Sequence, residues 1–458
     1  MSAILGPTFE EMLHPQKIAP EIRAKALAMK TQDPLDPINL FNITWRDGNN
    51  QIYYFVMPKQ LTGVDANIVV LYGKQFPTGA HKVGAAYSCL IEKELFGEVD
   101  PRVHTLVWPS TGNYGIGGAW VGCRMGFDSL VVLPEGMSAE RFQQIESYGA
   151  RIIKTPGSES NVKEIYDKTH ELAQNPNVRI LNQFSEMGNY RFHYHVTGNT
   201  IVELAAELKT RGIGDGHISA YCSAMGSAGT IAAGDRLKQV FGTKIIGLEP
   251  IQCPTLFNNG YGVHDIQGIG DKHVTWIQNV LNQDAIMCID DIECKKGLQL
   301  VSEEAGMETL HKRFGVPQSD VEMMSSLFGI SGICNILGAI KTAKFYGMNS
   351  RDTIVTIATD ALDRYYSVMA EMTKTYGAMD EAEATARAHI FLDQKTDWIK
   401  EGTVDARKQW HNLKYFSWVE QLGKTVEELN AQLDPEWWVH EQNRVAEIDE
   451  RLAQSRKA

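Results

Sequence analysis

Short strand-like runs of four or five residues, most of them apolar, recur through the middle of the chain, at 68–72, 105–108, 130–133, 151–154, 245–248 and 353–357, and stretches with helical spacing separate them. Short apolar runs bounded by turn residues read as buried strands. Their alternation with helices predicts an α/β architecture of parallel sheets covered by helices. Residues 1 to about 65 carry the punctuation Pro15, Pro20, Pro34 and Pro37, which predicts an arm packing on the core or on a partner subunit. The core is expected over 66–375. From about 376 the pattern changes: 379–389 and 426–433 read as helices, charge is dense, and five of the nine tryptophans (Trp398, Trp410, Trp418, Trp437, Trp438) fall there. This predicts a helical extension over 376–458, whose tryptophans either cap the core or serve subunit contact.

Three loops carry candidate chemistry. In 76–87 a Pro-Thr-Gly turn containing Thr78 leads Lys82 onto the start of a predicted helix, among the small residues Gly79, Ala80, Gly84, Ala85 and Ala86. A flat ring could lie against that backbone, and a lysine with a lowered pKa would be a nucleophile able to form a Schiff base. In 109–118 the order strand, tight loop, helix places Ser110, Thr111 and the loop amides beyond the strand's carboxyl end, where open α/β sheets bind ligands. They suit a substrate carboxylate. Asn113 offers a donor and an acceptor to a pyridine ring hydroxyl, and Tyr114 could touch a substrate side chain. In 222–236 the loop Gly226, Ser227, Ala228, Gly229, Thr230 opens a helix, so its amides and the helix's positive end would cradle a phosphate. It matches neither the P-loop nor the dinucleotide fingerprint.

In order and spacing, Lys82, the Asn113 loop and the Gly226–Thr230 loop resemble the cysteine synthase and cystathionine β-synthase family of fold-type II pyridoxal phosphate enzymes. Further matching stretches are 125–150, 183–198, 264–270 (HDIQGIG), 329–334 (GISGIC) and 354–367, and the likeness covers about residues 66–370. The resemblance implies two open, twisted, mainly parallel sheets covered by helices, with a smaller domain over about 100–200 that moves when substrate binds. Pyridoxal 5'-phosphate would be the cofactor. The substrate would be a small amino acid of the serine, cysteine or O-acetylserine type, held by Thr78, Ser110, Thr111, Tyr114 and Gln183. Its β-substituent would be lost to give an aminoacrylate, and replacement or elimination would follow, with Lys82 removing the α-proton. A serine- or threonine-type deaminating lyase, and a cofactor-binding subunit of a larger complex, are the alternatives.

Two departures from the family pattern stand out. The run Gly79-Ala80-His81-Lys82 is closer to tryptophan synthase β chains than to cysteine synthases, but Pro109-Ser110-Thr111 replaces the acidic residue of the tryptophan synthase substrate loop. That argues against an indole-condensing enzyme. Asp360 in Thr359-Asp360-Ala361 stands where the family commonly presents a hydroxyl to the ring nitrogen. Either Thr359 faces the ring and Asp360 caps the next helix, the preferred reading, or the Asp360 carboxylate keeps the ring protonated.

Composition adds limits. A net charge of −12 disfavours nucleic acid and anionic membranes as partners. The seven cysteines form no CxxC pair, which predicts reduced, buried thiols and no zinc site. No apolar stretch reaches the length of a bilayer span, so the cytoplasm is the expected compartment and a homodimer or higher homo-oligomer the expected assembly. His193 and His195 are expected to split into one packed and one exposed ring. The acidic run 290–293 is expected to be a solvated turn.

Overall fold

The computed structural model describes residues 4–110, 112–157 and 162–457. Its strands are β1 (Tyr54–Val56), β2 (Asn67–Tyr72), β3 (Thr105–Pro109), β4 (Asp128–Pro134), β5 (Arg151–Thr155), β6 (Val178–Ile180), β7 (Ala220–Ala224), β8 (Lys244–Pro250), β9 (Ala285–Ile289), β10 (Thr353–Ala358) and β11 (Ile399–Glu401). They build two sheets, one ordered β1-β2-β10-β7-β8-β9-β11 and the other β5-β4-β3-β6. All six apolar runs read from the sequence are strands. Every inner pairing is parallel, and the large sheet ends in the antiparallel edges β1 on β2 and β11 on β9. This is the fold-type II arrangement. The small sheet comes wholly from residues 105–180.

The strands are rich in β-branched residues and buried on both faces, as parallel sheets covered by helices require. Hydrophobic clusters flank the large sheet: Val69, Leu71, Val355 and Ile357 point into one, and Ile68, Val70 and Ile354 into another. β2, β10 and β7 are neighbours, so the loops leaving their carboxyl ends emerge side by side. Those loops carry Lys82, Thr359 and the Gly226–Thr230 turn.

The two ends of the chain are tied together. Thr8 and Glu11 form a capping box at the helix Phe9–Leu13. Phe9 N and Glu10 N donate to Asp449, at 2.7 and 3.0 Å, on the last helix Pro435–Ser455. Arg191 is clamped between Glu92 and Glu441, which fastens that helix to the catalytic region.

The tail adds β11 to the sheet edge, and its helices pack on the segment 274–278. Trp418 Nε1 donates to the Val274 carbonyl at 2.8 Å, and Trp410 Nε1 donates to the Leu256 carbonyl at 2.9 Å. The buried Lys414 donates to the Trp276 and Gln278 carbonyls and to Gln432 Oε1. Trp410, Trp418 and Trp438 are buried, whereas Trp398 is exposed. Trp418→Ala should therefore lower stability by about 3–5 kcal/mol. The midpoint of urea unfolding measures it, and an unchanged midpoint would show that the tail contributes no packing.

Two local expectations change. Asp290 is no solvated turn residue. It caps the helix Asp291–Ser302 by accepting from Glu293 N, while the buried Asp291 accepts from Asp265 N at 2.9 Å. His193 and His195 lie in a π-helical turn, Phe192–Thr197, rather than in an alternating segment. His193 is buried with Nδ1 against Thr197 Oγ1, and His195 is partly exposed. Among the described residues, no helix is long and apolar enough to cross a membrane.

Candidate active site

Lys82 is the first residue of the helix Lys82–Leu95. The turn before it needs Gly79, whose φ is +72°. Lys82 Nζ donates to the Gly268 carbonyl at 3.3 Å, which brings the HDIQGIG stretch across the lysine. The preceding His81 is fully buried, with Nε2 2.9 Å from Thr230 Oγ1. Burial, aided by the Lys82 charge, pushes its imidazole down to about 3, so the ring is neutral. The lysine and the phosphate loop are thus joined through one neutral histidine.

The loop 226–230 has the geometry of an anion cradle. Ala228 is left-handed (φ +60°) and Gly229 right-handed, an alternation that turns successive N–H groups toward one point. A 3-10 turn, Thr230–Ala232, and the helix Ala233–Phe241 then follow and add their positive end. The loop is braced from behind: Asn189 Nδ2 donates to Ser227 Oγ at 3.0 Å and to the Gln183 carbonyl at 2.9 Å, and Thr275 Oγ1 donates to the Ser227 carbonyl at 2.9 Å. A Cβ on Gly229 would overlap Asn189 Oδ1, and one on Gly226 would lie 2.9 Å from the Gly268 oxygen. Gly229→Val should therefore displace the loop and raise the cofactor dissociation constant at least tenfold, each tenfold being about 1.4 kcal/mol. Equilibrium dialysis measures it, and unchanged retention would place the phosphate elsewhere.

Asn113 begins the helix Asn113–Arg124 after β3. Its Nδ2 donates to Asp360 Oδ2 at 2.7 Å and its Oδ1 accepts from Arg364 Nη1 at 2.6 Å, so the amide is held flat. An amide has two N–H donors, and one serves Asp360. Arg364 also donates to the Thr78 carbonyl. Asp360 takes a second hydrogen bond from Tyr365 OH at 2.8 Å, and the Arg141 guanidinium stands 3.8 Å away. Arg141, on the helix Ala139–Ser147 beside the small sheet, donates to Tyr365 OH at 3.0 Å. Asp360 is therefore the hub of a buried network that links the two sheets.

That geometry corrects the preferred reading of Asp360. The 3-10 turn that follows, Leu362–Arg364, has Ala361 at its N-cap and no side-chain cap, so Asp360 caps nothing. Its partners are Asn113, Tyr365 and Arg141. Thr359 Oγ1 instead meets Ser331 Oγ at 2.6 Å, at the start of the helix Ile330–Phe345. Ser331 was missed as a site residue although GISGIC was singled out, because nothing in the motif says which hydroxyl turns toward the end of β10.

The expected carboxylate-binding residues fare differently. Ser110 Oγ accepts from Gly112 N at 2.9 Å and from Gly115 N at 2.8 Å, so its hydroxyl braces the loop from inside and is not presented to a ligand. Tyr114 is buried against Trp108 in the hydrophobic core, with ring centroids 5.6 Å apart, which removes it from the substrate side. The Thr78 hydroxyl turns to the Ala80 carbonyl at 3.3 Å. Gln183 Nε2 reaches the Pro109 carbonyl at 3.5 Å, and its Oε1 is buried without a hydrogen-bond partner among the described residues. Thr111 lies outside the described residues.

Sequence reasoning also stopped one residue short of Asp271, which follows HDIQGIG. It is buried, and burial pushes its carboxyl up to about 7, with the Lys82 charge opposing the rise. An acidic residue closing a glycine-rich turn was the available signal. A cavity of 590 Å³ near the arm contains none of these residues. It is lined by His14, Glu10 and Glu203, which are already paired with one another.

A lysine at a helix start, an anion cradle facing it and a held amide define a cofactor enzyme, and the family comparison agrees. The chain belongs to the family described as pyridoxal-phosphate dependent enzyme, whose model matches residues 59–360. It is 29% identical over 309 residues to the cysteine synthase of Staphylococcus aureus, covering 66% of this chain and 90% of that one. Among solved structures it is similar to the O-acetylserine dependent cystathionine β-synthase of Helicobacter pylori, at 26% identity and TM-score 0.57, covering 69% of this chain and 94% of that one. It also shares the fold of the cysteine synthase of Entamoeba histolytica, at 23% identity and TM-score 0.60, covering 75% and 93%.

The residues present fit pyridoxal 5'-phosphate, the cofactor of this family. Lys82 would supply the amine, the nest at Ala228 and Gly229 suits the phosphate, and the second N–H of Asn113 suits the ring hydroxyl. The buried Gln183 Oε1 and Asp271 Oδ2 are polar atoms that no protein group satisfies among the described residues.

Proposed function

We propose that this chain catalyses β-replacement or β-elimination on a small L-amino acid of the serine, cysteine or O-acetylserine type, as a cysteine-synthase-like enzyme acting through an aminoacrylate. The observation that carries the reading is the delivery of Lys82 between the phosphate nest and the HDIQGIG loop, within a chain that belongs to the pyridoxal-phosphate family. The bound cofactor supplies an electron sink for the carbanion formed at Cα. The rest is work for the protein.

Lys82 Nζ takes the Cα proton. The amides at the start of the helix Asn113–Arg124 would receive the substrate carboxylate, with Ser110 holding the loop before it in shape. Asn113 orients the ring through its hydroxyl, and Arg364 and Asp360 keep Asn113 flat. The paired Ser331 and Thr359 hydroxyls would serve the ring nitrogen of the bound cofactor. A hydroxyl there leaves the nitrogen neutral and tempers the sink, which favours loss of a β-substituent over deeper carbanion chemistry. Arg141 supports a closing movement of the 100–200 region, because it reaches from the small-sheet side to Tyr365 and Asp360.

We also infer a cytoplasmic homodimer or higher homo-oligomer. The support is the seven free cysteines, six of them buried, which suit a reducing compartment. Mass analysis of products from serine, threonine, cysteine and O-acetylserine, each with and without sulfide, tests the activity. The expected result is cysteine from O-acetylserine with sulfide, or sulfide and pyruvate from cysteine. Turnover confined to threonine, giving 2-oxobutanoate, would make the chain a dehydratase instead.

A further inference from the structure

The loop that crosses Lys82 goes on, three residues beyond the Gly268 carbonyl, to bury an aspartate. Asp271 is 7% exposed, and its Oδ2 meets no hydrogen-bond partner among the described residues. The backbone around it is pinned. Its own carbonyl accepts from Thr255 Oγ1 at 2.6 Å, Gly270 N donates to the Met225 carbonyl at 2.8 Å, and the Gly270 carbonyl faces His264 Nε2 at 2.9 Å. The titratable groups that feel its charge are Lys82, Tyr166 on the helix Val162–Leu172 and Cys253 in the loop after β8. Burying a carboxyl with an unsatisfied oxygen costs stability and serves no packing purpose. Its place three residues after Gly268, whose carbonyl meets Lys82 Nζ, points to a chemical one.

We propose that Asp271 is the acid–base group for the substrate's β-substituent, and that the site accordingly takes a hydroxyl- or thiol-bearing amino acid, serine or cysteine, as its first substrate. This rests on the β-elimination chemistry proposed above. Lys82 Nζ accepts the Cα proton. The Cβ–O bond of serine breaks with its electron pair leaving on oxygen, the Cα–Cβ bond becomes double, and the Asp271 carboxyl gives its proton to that oxygen. Water departs and Asp271 is left as the carboxylate. In the replacement direction an incoming thiol gives its proton to Asp271 as sulfur bonds to Cβ, and Lys82 returns its proton to Cα. Hydroxide is too basic to leave unaided, whereas acetate leaves without a proton. A carboxyl that titrates near neutral pH is matched to the first case.

The test compares the wild-type holoenzyme with Asp271→Asn on serine, cysteine and O-acetylserine in heavy water. In Asp271→Asn, the ratio of kcat/KM for serine to that for O-acetylserine should fall about 100-fold or more. The limb near neutral pH should vanish from the serine profile, while deuterium exchange at Cα persists. Difference infrared spectra of the two proteins should show a protonated-carboxyl signal in the wild type, titrating near neutral pH, that the variant lacks. Asp271→Glu, which keeps the carboxyl, should recover part of the ratio. Equal losses on serine and O-acetylserine, an unchanged ratio, or an infrared signal that survives in Asp271→Asn each overturn the role. A wild-type enzyme that exchanges Cα hydrogen in none of the three amino acids overturns the function reading itself, and the role with it.

Discussion

Lys82→Ala leaves the purified protein colourless after dialysis and stops deuterium exchange at Cα, with turnover falling by at least about 10³-fold. The size of the effect follows from the two roles of this one amine: it bonds the cofactor, and it moves the α-proton. Two other lysines are buried, and both are engaged: Lys341 Nζ is held by the Cys288 carbonyl, and Lys414 Nζ by the Trp276 and Gln278 carbonyls. The variant should fold. Alanine is a better helix former than lysine at the start of the helix Lys82–Leu95, and the hydrogen bond from Lys82 Nζ to the Gly268 carbonyl is a long one, 3.3 Å. Circular dichroism and visible absorbance together check this. A soluble, folded variant that keeps its colour and its Cα exchange would remove Lys82 from the site.

Six strands were legible as short strand-like runs, most of them apolar, set between helical stretches. β1, β6 and β11 have three residues each, too few for any period to show. β9, Ala285–Ile289, is fully buried and apolar and has the same form, yet it went unread. In the site, the parts made of backbone could be read. A glycine-rich turn between strand and helix implies its amides, and the nest at Ala228 and Gly229 has that form. The side-chain assignments were weaker, since a hydroxyl or carboxylate after a strand can turn either way. Ser110 turned inward to brace its own loop and Tyr114 sank against Trp108, while Asp360 found Tyr365 five residues on and Asn113 and Arg141 far from it in sequence. Only the tertiary fold brings those groups together.

Asp360→Ala should cost about 3–5 kcal/mol of stability, the usual penalty for leaving a buried charge without its counterpart. Arg141 and Arg364 both lie within this network and both are buried, so removal of the carboxylate leaves two guanidinium groups in a low-dielectric site. Asn113 Nδ2 and Tyr365 OH lose their acceptor at the same time. Asp360→Asn keeps the shape and one acceptor oxygen, so it should cost clearly less than the alanine variant. The two substitutions also separate the network from the ring nitrogen. If the paired Ser331 and Thr359 hydroxyls serve that nitrogen, as proposed, Asp360→Asn should leave the absorption maximum of the bound cofactor in place, whereas Thr359→Val should shift it. Urea unfolding of the three variants and their visible spectra, recorded with and without substrate, decide both parts. A spectrum that moves with Asp360→Asn and stays fixed with Thr359→Val would put the carboxylate on the ring and reverse the assignment.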